Sequence, residues 1–190
     1  MGPLIDTPER RAHLRAAFQA HAVRCPPQAD LAAEYIALLA DPLAFSRERL
    51  DGHFTGSAWL VSQDGQRVLL THHRKLQRWL QLGGHADGDA DLAAVALREA
   101  EEESGLLGLF LEGEVFDLDR HWIPERADVP GHWHYDVRYV VRAGTDERFA
   151  VSEESLALAW VSIEELLIPA SSDESLQRMA RLWQALPRAR

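Results

Sequence analysis

The segment from Gly83 to Leu106 (Gly-Gly-His-Ala-Asp-Gly-Asp-Ala-Asp-Leu-Ala-Ala-Val-Ala-Leu-Arg-Glu-Ala-Glu-Glu-Glu-Ser-Gly-Leu) constrains this chain more than any other stretch. Two adjacent glycines open it, and the apolar periodicity predicts a helix from about Asp91 to Glu103. Gly105 follows as a helix C-cap. On a helical wheel at about 100° per residue, Leu92, Ala93, Val95, Ala96 and Ala100 define the side that faces a core. Glu99 and Glu103 fall inside that arc, Glu102 lies at its edge, and Glu101 points the opposite way. Carboxylates enter a core only when paired or bound to a cation, because desolvating an unpaired charge is expensive. The i, i+3, i+4 spacing stands them one turn apart, where an oxygen-seeking ion such as Mg²⁺ can be shared. The plain alternative is a solvated acidic face with Arg98 pairing Glu102. Glu99 on the apolar side, with glycines at both ends of the segment, favours the cation site.

The rest of the chain supplies a mixed α/β frame. Thr7 caps a first helix, with Pro8 in its opening turn and Leu14, Phe18 and Val23 on one side. Cys25-Pro26-Pro27 ends it, and a second helix runs from about Asp30 to Ala40. These helices read as packing or homodimer contacts, with a substrate lid as the lesser option. Phe54–Ser62 and Arg67–Thr71 are strand-like runs around an Asp64-Gly65 turn. Further strand texture lies at Glu114–Trp122, His134–Arg142 and Leu158–Val161. Ser162 caps a short turn, and a terminal helix over Ser172–Leu186 carries Leu176, Met179, Leu182 and Trp183. Intermixed strands and helices imply an α/β sandwich.

Charge narrows the partners. Twenty Lys and Arg against thirty Asp and Glu leave a net charge of −10 over 190 residues. A surface that coats a nucleic acid polymer or an anionic membrane needs the opposite sign. A small anionic substrate remains compatible if a divalent cation stands between it and the protein. The single cysteine, Cys25, forms no internal disulfide and points to a reducing compartment. No basic-then-apolar leader and no membrane-length apolar run are present, so a soluble cytoplasmic protein is expected.

Gly84, Arg98-Glu99, Ala100, Glu102-Glu103, Gly105 and Leu106 resemble, in register, the box of the Nudix hydrolase family. Trp79-Leu80-Gln81-Leu82-Gly83-Gly84 looks like the family's approach to that box, with Leu82 where proline is common. One position departs: the box's first glutamate falls on Ala90, flanked by Asp89 and Asp91, which could partly compensate. The resemblance implies a Nudix-type α/β/α sandwich with a mixed sheet over residues 51–190, preceded by an N-terminal helical extension over 1–50. It implies a pyrophosphohydrolase that cleaves a nucleoside diphosphate linked to another group, by water attack at phosphorus. It implies Mg²⁺ or Mn²⁺ held by Glu99, Glu102 and Glu103 with help from the Gly84 carbonyl, and Arg98 orienting the glutamates. The general base then comes from Glu99, Glu102, Glu153 or Glu154, with Glu102 favoured.

Two clusters outside the helix complete the candidates. His72-His73-Arg74-Lys75 and Arg78 precede the glycines; Arg74 and Arg78 are candidate phosphate contacts, against a merely solvated loop. His132, His134, Asp136 and Arg138 alternate with Trp133, Tyr135, Val137 and Tyr139, which predicts a polar and an apolar strand face. An exposed polar face is the expectation there, with a substrate contact or a zinc site as the sharper alternatives. His85, within the glycine loop, and His134 are candidate substrate contacts. Two further readings compete: a Nudix-fold nucleotide-binding or regulatory module favoured by Ala90, and an isopentenyl-type isomerase. The latter needs a catalytic cysteine, and Cys25 is poorly placed for that role.

Overall fold

A computed structural model describes residues 6–74, 76–126, 129–151, 155–168 and 172–186. Helix α1 (Pro8–Arg24), a 3₁₀ turn (Pro26–Gln28) and α2 (Ala29–Leu38) come first. Strands β1 (Gly52–Val61), β2 (Arg67–His73), β3 (Arg78–Leu80) and β4 (Leu82–His85) lead into α3 (Leu92–Ser104). Strands β5 (Phe110–Ile123), β6 (His132–Arg142) and β7 (Ser155–Ser162), then α4 (Ile163–Leu166) and α5 (Glu174–Ala185), complete the chain. The strand order is β3-β2-β1-β6-β5, with β4 also paired to β1 and β7 to β2. This is the mixed α/β architecture that the intermixed strands and helices predict.

Contacts gather the chain into two units. The first takes the chain up to Ser57, with Gly83–Ala96 and Gly113–Tyr139; the second takes Ala58–Leu82, Leu97–Glu112 and the chain from Val140.

In the first unit, Thr7 accepts the Arg10 amide at 3.2 Å and so caps α1, as its sequence position predicts. Phe18, Tyr35, Phe45 and Phe54 form a buried aromatic core with neighbouring ring centroids 5.1–6.0 Å apart. Val23, expected on the packed side of α1, is instead 80% exposed; the helix buries His21 on its last turns. The reason is long-range: Val115 and Gln28 offer His21 polar partners at 3.2 and 2.6 Å. These contacts continue along β5. Arg24 and His21 both donate to the Val115 carbonyl, while Gln28 donates to the Leu118 carbonyl at 2.9 Å and accepts the Leu118 amide at 3.3 Å. Side chains from the N-terminal segment thus satisfy main-chain groups of the strand at the end of the sheet order.

The alternating face of β6 is not exposed, contrary to its sequence expectation. His132, Asp136 and Arg138 are 7%, 1% and 2% exposed, because partners distant in sequence pay for their burial. Arg138 donates to Asp136 at 2.8 Å, Asp117 at 2.9 Å and Asp119 at 3.0 Å. Asp136 also accepts from Thr55 at 2.9 Å and Ser57 at 2.7 Å. Burial opposes the charge of Arg138, but Asp136, Asp119 and Asp117 together hold its pKa above the ordinary value.

In the second unit, Val61 faces Val68 across the first hairpin, and Gly65 takes φ +70° in the turn. Strand β2 pairs antiparallel with both β3 and β7. Ala58, Leu60, Leu69, Leu82, Ala100, Leu106, Val141 and Leu158 pack as one apolar cluster. Asp173 caps α5 by accepting the Leu176 amide at 2.9 Å. Trp183 then fastens α5 to the hairpin through the Gly65 carbonyl at 3.0 Å.

Candidate functional site

Helix α3 carries the acidic candidates much as the wheel places them. Leu92, Val95, Ala96 and Ala100 are buried, and Ala93 is half-buried. Glu99 and Glu103 are half-buried, whereas Glu102 and Glu101 are exposed. Arg98 pairs with its neighbour Glu99 at 3.2 Å, each side chain 19% exposed, instead of reaching a full turn ahead to Glu102. The helix then stops where its sequence says it should. Gly105 adopts φ +68° and its amide bonds to the Glu101 carbonyl at 2.8 Å. No basic residue occupies the last turn of α3.

The departure at Ala90 has a local structural account. Ala90 is buried, and its neighbours Asp89 and Asp91 are both engaged. Asp89 accepts the Arg10 guanidinium at 2.8 Å and the Asp91 amide at 2.9 Å. Asp91 accepts the Ala94 amide at 3.1 Å as a helix cap. Both carboxylates are thus engaged at the helix start. The carboxylates that the box places on α3 are Glu99, Glu102 and Glu103, at i, i+3 and i+4 of one helix. That donor set suits a hard divalent cation, which takes oxygen ligands and keeps water in the remaining positions.

The other sequence candidates fall as follows. Arg74 is exposed and donates to the Ser155 carbonyl at 3.2 Å; Arg78 is exposed on β3, opposite His73. Lys75, Glu153 and Glu154 lie outside the described residues. Gly83 and Gly84 belong to β4. A Cβ on Gly83 would stand 2.2 Å from Ser57 Oγ and 2.8 Å from Ser57 Cα, so only glycine lets β4 lie this close to β1. His85 and His134 meet in the first unit, with ring centroids 4.9 Å apart.

Two more rings join them. His53, His85, His132 and His134 each bring one ring nitrogen within 4.8 Å of the others. Burial pushes the His134 pKa down to about 2, and the His85, His121, His53 and His132 rings add to the effect. His85 falls to about 4, by burial first and then by Arg47 and His53. His53 is lowered as well, again chiefly by burial. All three are therefore neutral imidazoles with lone pairs at neutral pH. The i, i+2 alternation flagged His132 and His134, and the glycine loop flagged His85. His53 carries no local signal: it is a lone histidine opening a β-rich run.

Known proteins agree with this fold. A family model described as the NUDIX domain matches residues 53–182. A NUDIX-family hydrolase from Clostridium perfringens is 25% identical, with a TM-score of 0.51 over 71% of this chain and 98% of that one. The MutT protein from Methanosarcina mazei Go1 is 18% identical, with a TM-score of 0.54 over 72% and 95%. The Ap4A hydrolase of C. elegans, in a binary complex, is 16% identical, with a TM-score of 0.53 over 70% and 95%. No curated protein matches in sequence. Among the described residues, no helix is long and apolar enough to cross a membrane. With the fold and the family model in agreement, this chain belongs to the NUDIX family.

Proposed function

We propose that the protein is a metal-dependent pyrophosphohydrolase acting on a small nucleotide-derived diphosphate, with water attacking phosphorus. The observation that carries this reading is the disposition of α3. Glu99 and Glu103 are half-buried, Glu102 beside Glu103 is exposed, and Arg98 pairs with Glu99. Glu99, Glu102 and Glu103 hold Mg²⁺ or Mn²⁺ in this reading, and Gly84 is the main-chain candidate ligand. When bound, the cation neutralises diphosphate oxygens and polarises water.

The chain's own groups do the rest. Arg98 fixes the Glu99 carboxylate by its ion pair. Glu102, the exposed member, accepts the proton of the attacking water while the P–O bond to the leaving phosphate breaks. Arg74 and Arg78 offer cationic contacts to phosphate oxygens, and His85 and His134 contact the remainder of the substrate. Phosphoryl transfer asks for little beyond such positioning and charge stabilisation. The acidic surface charge and this chemistry fit a soluble, cytoplasmic enzyme, with homodimer contacts open to the N-terminal helices.

A panel assay tests the reading. Purified protein is incubated with nucleoside triphosphates, dinucleoside polyphosphates, nucleotide sugars and dinucleotide cofactors, with Mg²⁺ or Mn²⁺. Metal-dependent release of phosphate or nucleoside monophosphate is expected, falling at least about 100-fold in Glu102→Gln. Tight nucleotide binding with no turnover on any substrate would overturn it in favour of a regulatory module.

A further inference from the structure

We propose that His53, His85, His132 and His134 form a metal site that binds zinc or a neighbouring first-row divalent ion through four imidazole nitrogens. None of the α3 glutamates takes part. The inference stands on metal content, so it goes beyond the hydrolase reading and does not depend on it.

The sheet builds the site. His53 opens β1, His85 ends β4, and His132 and His134 lie two residues apart on β6. Both β4 and β6 neighbour β1 in the strand order. Alternation along β6 turns His132 and His134 to one face. His53 then sits amid the others, its ring 5.2, 5.1 and 5.2 Å from those of His85, His132 and His134.

The donor atoms are already close to a metal's geometry. A tetrahedral zinc with bonds of about 2.0–2.1 Å sets its ligand nitrogens about 3.3 Å apart. His132 Nε2 and His134 Nε2 are 3.2 Å apart, one finished edge of that tetrahedron. The remaining ligand atoms all lie within 4.8 Å of one another.

The outer shell fixes which nitrogen faces inward. His132 Nδ1 donates to the Pro130 carbonyl at 2.8 Å, and His53 Nδ1 donates to the Arg49 carbonyl at 3.3 Å. Each bond selects the tautomer that leaves Nε2 with its lone pair, the arrangement typical of ligating histidines. His53 itself is 3% exposed, and its Nε2 is buried without a hydrogen-bond partner. A buried nitrogen of that kind requires an explanation, and a metal ion supplies one. An all-imidazole shell favours zinc and its first-row neighbours over Mg²⁺, which requires oxygen. His85 and His134 each keep a second ring nitrogen, so ligation leaves their proposed substrate contacts open.

The full chain, expressed without a histidine tag and stripped by chelator, is titrated with Zn²⁺ and dialysed. One equivalent should be retained, with a Tm rise of about 5–10 °C at zinc one hundredfold above Kd. X-ray absorption should show nitrogen ligands at about 2.0–2.1 Å. His132→Ala should weaken zinc binding at least about 100-fold, while Glu102→Gln keeps the full equivalent. If His132→Ala does not fold, the nitrogen shell of the unmodified protein decides the question. Failure to retain zinc, loss of it in Glu102→Gln, or an oxygen-only shell would each overturn the proposal. Hydrolysis is not read in any arm, so this outcome and that of the substrate panel are separable.

Discussion

Arg138 illustrates how much one side chain can commit a fold. It is 2% exposed and joins Asp117, Asp119 and Asp136, two of them equally buried. Replacing it with methionine keeps the volume but strands those carboxylates without a cation. A loss of about 3–5 kcal/mol is expected, read as a lower urea midpoint. Exchanging Arg138, Asp117 and Asp136 together for apolar residues of similar size should cost less than Arg138→Met alone. A methionine variant as stable as the parent would refute this account. At the same scale, the sequence was informative wherever a residue's role is local. Thr7 and Gly105 announce helix ends because a cap is settled within four residues. Asp89 and His53 do not announce their roles. Their partners, Arg10 and the β6 histidines, lie tens of residues away and reach them only through tertiary structure.

Among the elements, α3 was the most legible, since its 3.6-residue period states which side is buried and which carboxylates share that side. Strands β3 and β4 were not legible: they are three and four residues long and too short to show an alternation. The polar face of β6 was legible as a pattern and misleading as to environment. Alternation distinguishes two faces but does not say that Thr55, Ser57 and Asp117 will cover the polar one. Strand β4 also yields a test of packing. Gly83→Ala pushes a methyl group into the Ser57 backbone, which cannot rotate away as a side-chain tip would. A loss of about 1–3 kcal/mol is expected, seen as a lower Tm in thermal unfolding. An unchanged Tm would mean that β4 is not held against β1 in this way.

For the whole molecule, the family model begins at residue 53, yet the fold depends on chain that precedes it. The aromatic core of the first unit takes Phe18 from α1 and Tyr35 from α2, and Arg10 holds Asp89 at the start of α3. A chain beginning at Asp51 would lack all three. Its expected behaviour is loss of cooperative unfolding, together with rising light scattering at micromolar concentration; a monomeric, cooperatively melting product would refute that. The scattering has a definite origin. Strand β5 is 14 residues long and ends the strand order, and an uncovered strand of that length templates the addition of another chain. In the intact protein, Arg24, His21 and Gln28 occupy the main-chain positions at Val115 and Leu118 that an incoming strand would need. The N-terminal helices thus act as a built-in guard against edge-to-edge aggregation.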